Sequence, residues 1–480
     1  MYRQLLKDAS YYSVGPLLAR VLSLVTVPVF THILSPTNYG ALDILGASAV
    51  LAALFVGAAL DQALGRFYLE ASEETERKRI ASTVLIYYVS AFTLFAAAAL
   101  PFSEDAARLW MRGEVDYKTV AAALIFVWAN GIFYIASNQL KYLFLSKAFA
   151  VCAIGNSVVS TLLSLLFVVY FRMSVFGIFI GQAVGVVIFA LLAVYFARNA
   201  YRLTFNCRLL KTLLTYSLPL IPGTMALYLM QYLDRFAIQD LVNLRAVGIY
   251  GIGVRLASVI NLFLAGFHSA WSPIVFRSFH EPNAPEKFRV VFNYYLFIVL
   301  VVMMTVSLFS REALLLLTTK TFSRGFVVVP LLMLSAILIS IGQHFTYGIP
   351  IAKKSHYRMV LNLIAVTMNA VLNYTLIPLF GIVGAALATT LSAAFFAAAG
   401  MIVSQRLYPV PYQWRMLASA LVLAVVVANA VTVPGVPIGW AASAVKVGVM
   451  TIGIAFLARI LHILKGRGLI GWMTSGSVDA

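Results

Sequence analysis

Apolar residues run along this chain in stretches of about twenty, separated by short polar breaks. Each stretch is long enough to carry a helix across a hydrocarbon layer about 30 Å thick. The pattern predicts helices at 10–34, 41–69, 80–102, 118–144, 148–171 and 174–198. Six more follow at 212–241, 246–275, 288–310, 326–350, 358–379 and 382–406, and a last pair at 415–433 and 438–463. The connections are short and no extramembrane domain is inserted. The first run is too long for a signal-peptide core and has no small-residue cleavage site, so it counts as a span. Pro219, Pro222 and Gly223 interrupt the seventh helix. A bilayer tolerates such a break where it lines a cavity or bends, so this helix is the candidate gate.

The pattern repeats. The uncharged corner "SPTNYG" (35–40) follows the first helix, and a similar outline, "NLRAVG" (243–248), follows the seventh. Gly40 and Gly248 stand 208 residues apart; "YFRMSVFGI" (170–178) and "YTLIPLFGI" (374–382) stand 204 apart, as do the "LLK" triplets at 5 and 209. The chain therefore reads as six helices, six helices, then two. Six is even, so both units insert the same way up, giving two parallel lobes that face each other across a cleft. The expected organisation is an all-α polytopic membrane protein of about fourteen spans. Its parts are an N-lobe at 1–205, a C-lobe at 206–410, and two further helices with a tail at 411–480.

Composition agrees, with 62% hydrophobic and only 11% charged residues, against about 25% charged in a soluble domain. The net charge of +18 is a topology signal. Of 35 Lys and Arg, five are set apart as charges within spans, Arg20, Arg66, Arg235, Arg255 and Lys446, and the others at helix ends count with the adjoining loop. Eight fall in loops on one side (Arg108, Arg112, Lys118, Arg172, Arg245, Arg311, Lys320, Arg324), which leaves 22 on the side of the N-terminus. That bias predicts both termini in the cytoplasm. No basic soluble domain exists to hold nucleic acid. Cys152 and Cys207 offer neither a disulfide framework nor a metal cluster. There is no phosphate-binding loop and no H-E-x-x-H, and the glycines of "GIYGIG" (248–253) lack a strand–turn–helix context, so they read as close helix packing.

Taken together, "ILSPTNYGALDIL" (33–45), "GRFYLE" (65–70), "YLDRFAI" (232–238), "VGIYGIGVRLASV" (247–259) and "FGIVGAALAT" (380–389) resemble the bacterial polysaccharide-transporter family. These are the O-antigen-type flippases of lipid-linked oligosaccharides, in the superfamily that also holds the lipid II flippase and the multidrug extruders. The resemblance implies translocation of an undecaprenyl-diphosphate-linked glycan from the cytoplasmic to the outer leaflet of a bacterial inner membrane. The partners would be that glycan, membrane lipids and the polymerase of the same pathway. The rival within transporters is a multidrug/toxin extrusion antiporter, which a carboxylate-dominated cleft would favour. A membrane-embedded glycan polymerase would need a large outer loop with catalytic groups. Only 103–117 is available, and it is short, so no catalytic residue and no enzymatic activity is expected.

A charge at mid-bilayer costs roughly 2.5–3.5 kcal/mol, so each needs a reason. Arg66 and Lys446 lie near helix ends, where their stems can snorkel. For Arg20 and Arg255 two readings stand: ion pairs with Asp43 or Asp61, or, with Arg235, a grip on the substrate diphosphate. Asp61, Tyr228, Gln231, Tyr232 and Trp271 are candidates for the substrate cleft, against ordinary packing. His268 and His344 read as satisfied core groups. Asp234 and Arg235 are about 100° apart round their helix, so Asp234 is expected to find another partner. With Asn369, Asn373 and Thr389 it would make an oxygen cage for Na⁺. This resembles the sodium site of the lipid II flippase branch, although an acid stands there in place of Asn373. Plain helix–helix hydrogen bonding, or a proton carried on Asp234, are the alternatives. No other cofactor is expected.

Overall fold

A computed structural model describes residues 2–202, 204–352, 354, 356–430 and 440–461, and every regular element among them is helical. The chain forms two compact units, Met1–Gly248 and Ile249–Ala480. The first holds α1 (Tyr2–Ile33), α2 (Pro36–Gly57), α3 (Leu60–Glu70), α4 (Glu74–Ala99), α5 (Tyr117–Tyr142), α6 (Ser146–Leu165), α7 (Ser174–Phe196), α8 (Cys207–Ser217) and α9 (Ile221–Leu241). The unit boundary falls within α10 (Leu244–Ala257). The second unit continues with α11 (Ile260–Ser278), α12 (Ala284–Leu308), α13 (Ser310–Leu317), α14 (Val329–Phe345), α15 (His356–Phe380), α16 (Ile382–Leu407), α17 (Trp414–Asn429) and α18 (Trp440–Ile460). The tail beyond 461 lies outside the described residues.

Among the described residues ten helices are long and apolar enough to cross a bilayer, and twelve if two bent pairs each count as one span. Val21–Ile33 and Trp414–Asn429 are shorter apolar helices. The chain is a multi-pass membrane protein, although length and composition do not raise the count to the fourteen full spans expected.

The difference from fourteen lies in the two bent pairs and these two shorter helices, and a further predicted helix, the second, is broken. The seventh predicted helix bends by 51° between Cys207–Ala226 and Tyr228–Leu241. Earlier in the same helix Pro219 and Pro222 remove two backbone donors, and Leu218–Leu220 tightens to a 3₁₀ turn. The eighth bends by 47° between α10 and α11. The second breaks at Ala58 and Ala59, both left-handed at φ 51°. Each non-glycine residue in that region costs about 1–2 kcal/mol, so the surrounding packing must hold the break in place. Asp61 follows in the first turn of α3, where the helix dipole favours its charge.

Small residues bring helices close within the first unit. Gly181 and Gly185, one turn apart on α7, lie against Ser164 and Ser160 of α6, and a Cβ at either glycine would collide with them. The Ser164 hydroxyl donates to the Ile178 carbonyl at 3.1 Å. The second unit packs around rings. Phe267 stacks on Tyr295 at 4.0 Å and on Trp271 at 5.8 Å.

Candidate functional site

The repeated corner is the place to start. Ser35 caps α2 by accepting the Asn38 N–H at 3.1 Å, and Pro36 occupies the first turn, where its missing donor costs nothing. Asn38 also donates to the Ser174 hydroxyl at 3.1 Å, tying the corner to the start of α7. Tyr39 is fully buried. Gly40 then meets the start of α10 backbone to backbone. A Cβ on Gly40 would overlap the Leu244 carbonyl oxygen, and one on Gly248 would overlap that of Pro36. The two glycines equivalent in the sequence repeat are therefore neighbours in space, 3.0 Å separating an added Gly40 Cβ from the Gly248 nitrogen.

One turn deeper along α2 stands Asp43. Its Oδ2 lies 3.6 Å from Arg235 Nε, and Arg235 Nη1 lies 3.6 Å from Asp234 Oδ1. Nη1 also donates to the Gln231 carbonyl at 2.9 Å, and the guanidinium sits 4.8 Å from the Tyr232 ring centroid. Asp234 and Arg235 are each 8% exposed. A charge this deep in a span needs opposite charge beside it, and the fork of Arg235 serves two carboxylates with two different nitrogens. The second contact shows that Asp234 does reach its neighbour. Its Oδ1 accepts the Arg235 backbone N–H at 2.9 Å, which folds the carboxylate back towards its neighbour, and the long guanidinium arm bridges the rest of the 100°. The first contact gives Asp43 a partner in Arg235. Arg235 is accordingly engaged by carboxylates and not poised for a substrate anion in this conformation.

Below this triad the same two helices stay in register. Tyr228 stacks on Tyr232 with centroids 4.7 Å apart, and its buried hydroxyl donates to the Ala47 carbonyl, four residues on from Asp43. Tyr228 thus joins α9 to α2. The Gln231 side chain is exposed, so only its carbonyl takes part in the cluster. At the far end of α9, Arg112 Nη2 donates to the Asp240 carbonyl at 2.8 Å and Gln239 Nε2 to that of Trp110 at 2.7 Å.

The other candidates are scattered. Asp61 accepts the Tyr134 hydroxyl on Oδ2 at 3.0 Å and the Tyr142 hydroxyl on its main-chain oxygen at 3.2 Å, so it belongs to a second polar cluster with α5. The Arg20 side chain lies outside the described residues. Arg255 is half-buried in the last turn of α10, and its carbonyl accepts the Ser258 hydroxyl at 2.7 Å beside the break before α11. Trp271 is 4% exposed and stacks on His344 at 5.4 Å, which is the packing use of such a ring. His268 Nε2 meets Ser340 Oγ at 2.6 Å. Arg66 is half-exposed, donates to Glu70 at 3.0 Å and lies 4.8 Å from the Tyr216 ring centroid. Lys446 does not snorkel: it is 5% exposed and donates to Glu312. Sequence reasoning missed that pair, whose members stand 134 positions apart.

In the second unit Asn369, Asn373 and Thr389 do meet. Asn373 Nδ2 donates to Asn369 Oδ1 at 3.1 Å and to its carbonyl at 2.9 Å, and Asn369 Nδ2 donates to Thr389 Oγ1 at 3.4 Å. Asn373 is fully buried, and its Oδ1 has no hydrogen-bond partner among the described residues. An orphaned buried amide oxygen costs about 1–3 kcal/mol unless a donor or a cation supplies the missing contact.

Comparison with known proteins then locates the chain. No curated protein sequence matches it. Among solved structures it resembles the lipid II flippase MurJ in an inward closed conformation, at TM-score 0.75 and 13% identity, covering 95% of this chain and 99% of that one. It also resembles a multidrug resistance MATE family transporter of the MOP superfamily. The inward-facing form gives TM-score 0.66 at 14% identity (86% of this chain, 98% of that), and the outward-facing form 0.57 at 14% (86% and 96%). These identities establish the fold, which is that of flippases and multidrug exporters. The profile described as polysaccharide biosynthesis protein matches residues 5–279, more than half of the 480, and the chain belongs to that family.

Proposed function

We propose that this chain is a flippase. It carries an undecaprenyl-diphosphate-linked oligosaccharide from the cytoplasmic to the outer leaflet of a bacterial inner membrane, by alternating access, for a surface polysaccharide such as O-antigen, capsule or exopolysaccharide. It works as a transporter without an enzymatic step, with both termini in the cytoplasm, as the loop charges favour. The observation that carries the reading is the glycine seam: the two copies of the repeated corner meet backbone to backbone, on helices that break or pair further in. A seam without interlocking side chains can part and re-form as a unit. Membership of a polysaccharide biosynthesis family supports the glycan as cargo, and its polymerase as a partner. In cells depleted of the protein, the lipid-linked glycan is expected to accumulate where a lectin reaches it in everted vesicles but not in right-side-out ones. Unchanged sidedness on depletion would remove the reading.

The rival reading is a multidrug/toxin extruder, since exporters of that kind share the fold.

Sodium is the coupling ion that the orphaned Asn373 Oδ1 suits. Asn369 and Thr389 would add oxygens. Asn373→Ala is expected to abolish stimulation of transport by a Na⁺ gradient while leaving protein levels unchanged. Wild-type transport that ignores Na⁺ but stops when the proton gradient is collapsed would replace this cage with a proton on Asp234.

A further inference from the structure

Within the first unit lies a cavity of about 510 Å³ that has no part in the proposed transport site. Its floor is made by Leu45 and Ala49 of α2 and by Ala123 and Val127 of α5, all at most 7% exposed. Its rim carries Phe102 and Trp110, which are exposed, and Trp110 stacks on Phe236 at 6.4 Å. The wall between them is a π-helical turn, Ala106–Trp110, which continues the end of α4 and contributes both of its terminal residues to the lining. Such turns widen a helix locally and recur where a helix must accommodate something.

Protein interiors have few voids larger than a water molecule, and this apolar recess is open on one side, so it is filled from its surroundings. Water is a poor filler, because almost no polar atom faces the space, and a buried water needs two to four partners. Hydrocarbon suits these walls. The recess is far larger than a few waters need and takes a hydrocarbon chain. Acyl chains of phospholipid are the hydrocarbon that a bilayer supplies in excess.

We infer that this cavity is a lipid site, taking a single acyl chain of a bilayer phospholipid between α2, α4 and α5, with Phe102 and Trp110 at its mouth. The chain enters past an aromatic rim and fills the space between small residues, so its occupancy would hold the outer parts of α2 and α5 together. The site is distinct from the triad, although Phe236 on its wall is the next residue after Arg235.

The test uses the full-length protein with phospholipid carrying bromine on its acyl chains, which quenches only indoles it touches. The Trp110 component is isolated by difference from Trp110→Phe. Strong quenching of that component is expected, together with one phospholipid retained per chain in native mass spectrometry. Ala123→Phe, which fills the floor, should lose both. Where Ala123→Phe does not fold, Ser48→Leu places its extra bulk on the same wall. Quenching and retention unchanged by either filled variant would overturn the assignment. So would relief of the quenching by an equimolar polyprenyl phosphate, which would make the space a substrate-tail site.

Discussion

Arg235→Ala is expected to leave little folded protein in the membrane. The change takes the Arg235 guanidinium away from Asp43 and Asp234 inside a span, and removing one partner of a buried pair typically costs about 3–5 kcal/mol. That is a large part of a stability of about 5–15 kcal/mol. Arg235→Lys should fall in between, because one ammonium cannot occupy the two positions that Nε and Nη1 hold together. Asp43→Asn should be milder still, since the contact with Asp234 survives. Melting of the detergent-solubilised variants by fluorescence-detected size exclusion gives the order directly. An Arg235→Ala protein that melts with the wild type would show that the triad contributes nothing to the fold.

Gly40→Ala and Gly248→Ala are expected to open the seam between α2 and α10. A side chain can turn away from an added methyl group, but the carbonyls of Leu244 and Pro36 are backbone and cannot. Overpacking of this kind costs about 1–3 kcal/mol, so the packed conformer should lose population by roughly 5- to 150-fold. Spin labels at Asn38 and Arg245 would read this as loss of the short-distance population, with transport falling in step. Gly46→Ala is the control, since nothing lies within 4 Å of a Cβ there. A short-distance population that survives both alanines would mean that the seam does not gate.

The helices were legible in the sequence because apolar length is a signal that needs no tertiary context. The break in the seventh was also legible, through Pro219, Pro222 and Gly223. The break at Ala58–Ala59 was not, since alanine is the best helix former and only surrounding packing can force it left-handed. Gly40 and Gly248 were recognisable as equivalents, but equivalence in a repeat does not say that two residues touch. The contact between Asp234 and its neighbour Arg235 was not legible, because arginine reaches round its own helix. Asn369, Asn373 and Thr389 came together because one-turn spacing on a helix and a short corner to the next leave few other arrangements. Lys446 and Glu312 carried no local signal of each other.

Flipping by the purified chain reconstituted in liposomes bears on the flippase most directly. With a fluorescently tagged undecaprenyl-diphosphate-linked oligosaccharide in both leaflets and an impermeant quencher outside, the protected fraction is expected to become reachable. It should do so at a rate proportional to wild-type protein, and Gly40→Ala should slow it. A chain that extrudes lipophilic cations from the same liposomes while the glycan stays protected would contradict a flippase and identify an exporter.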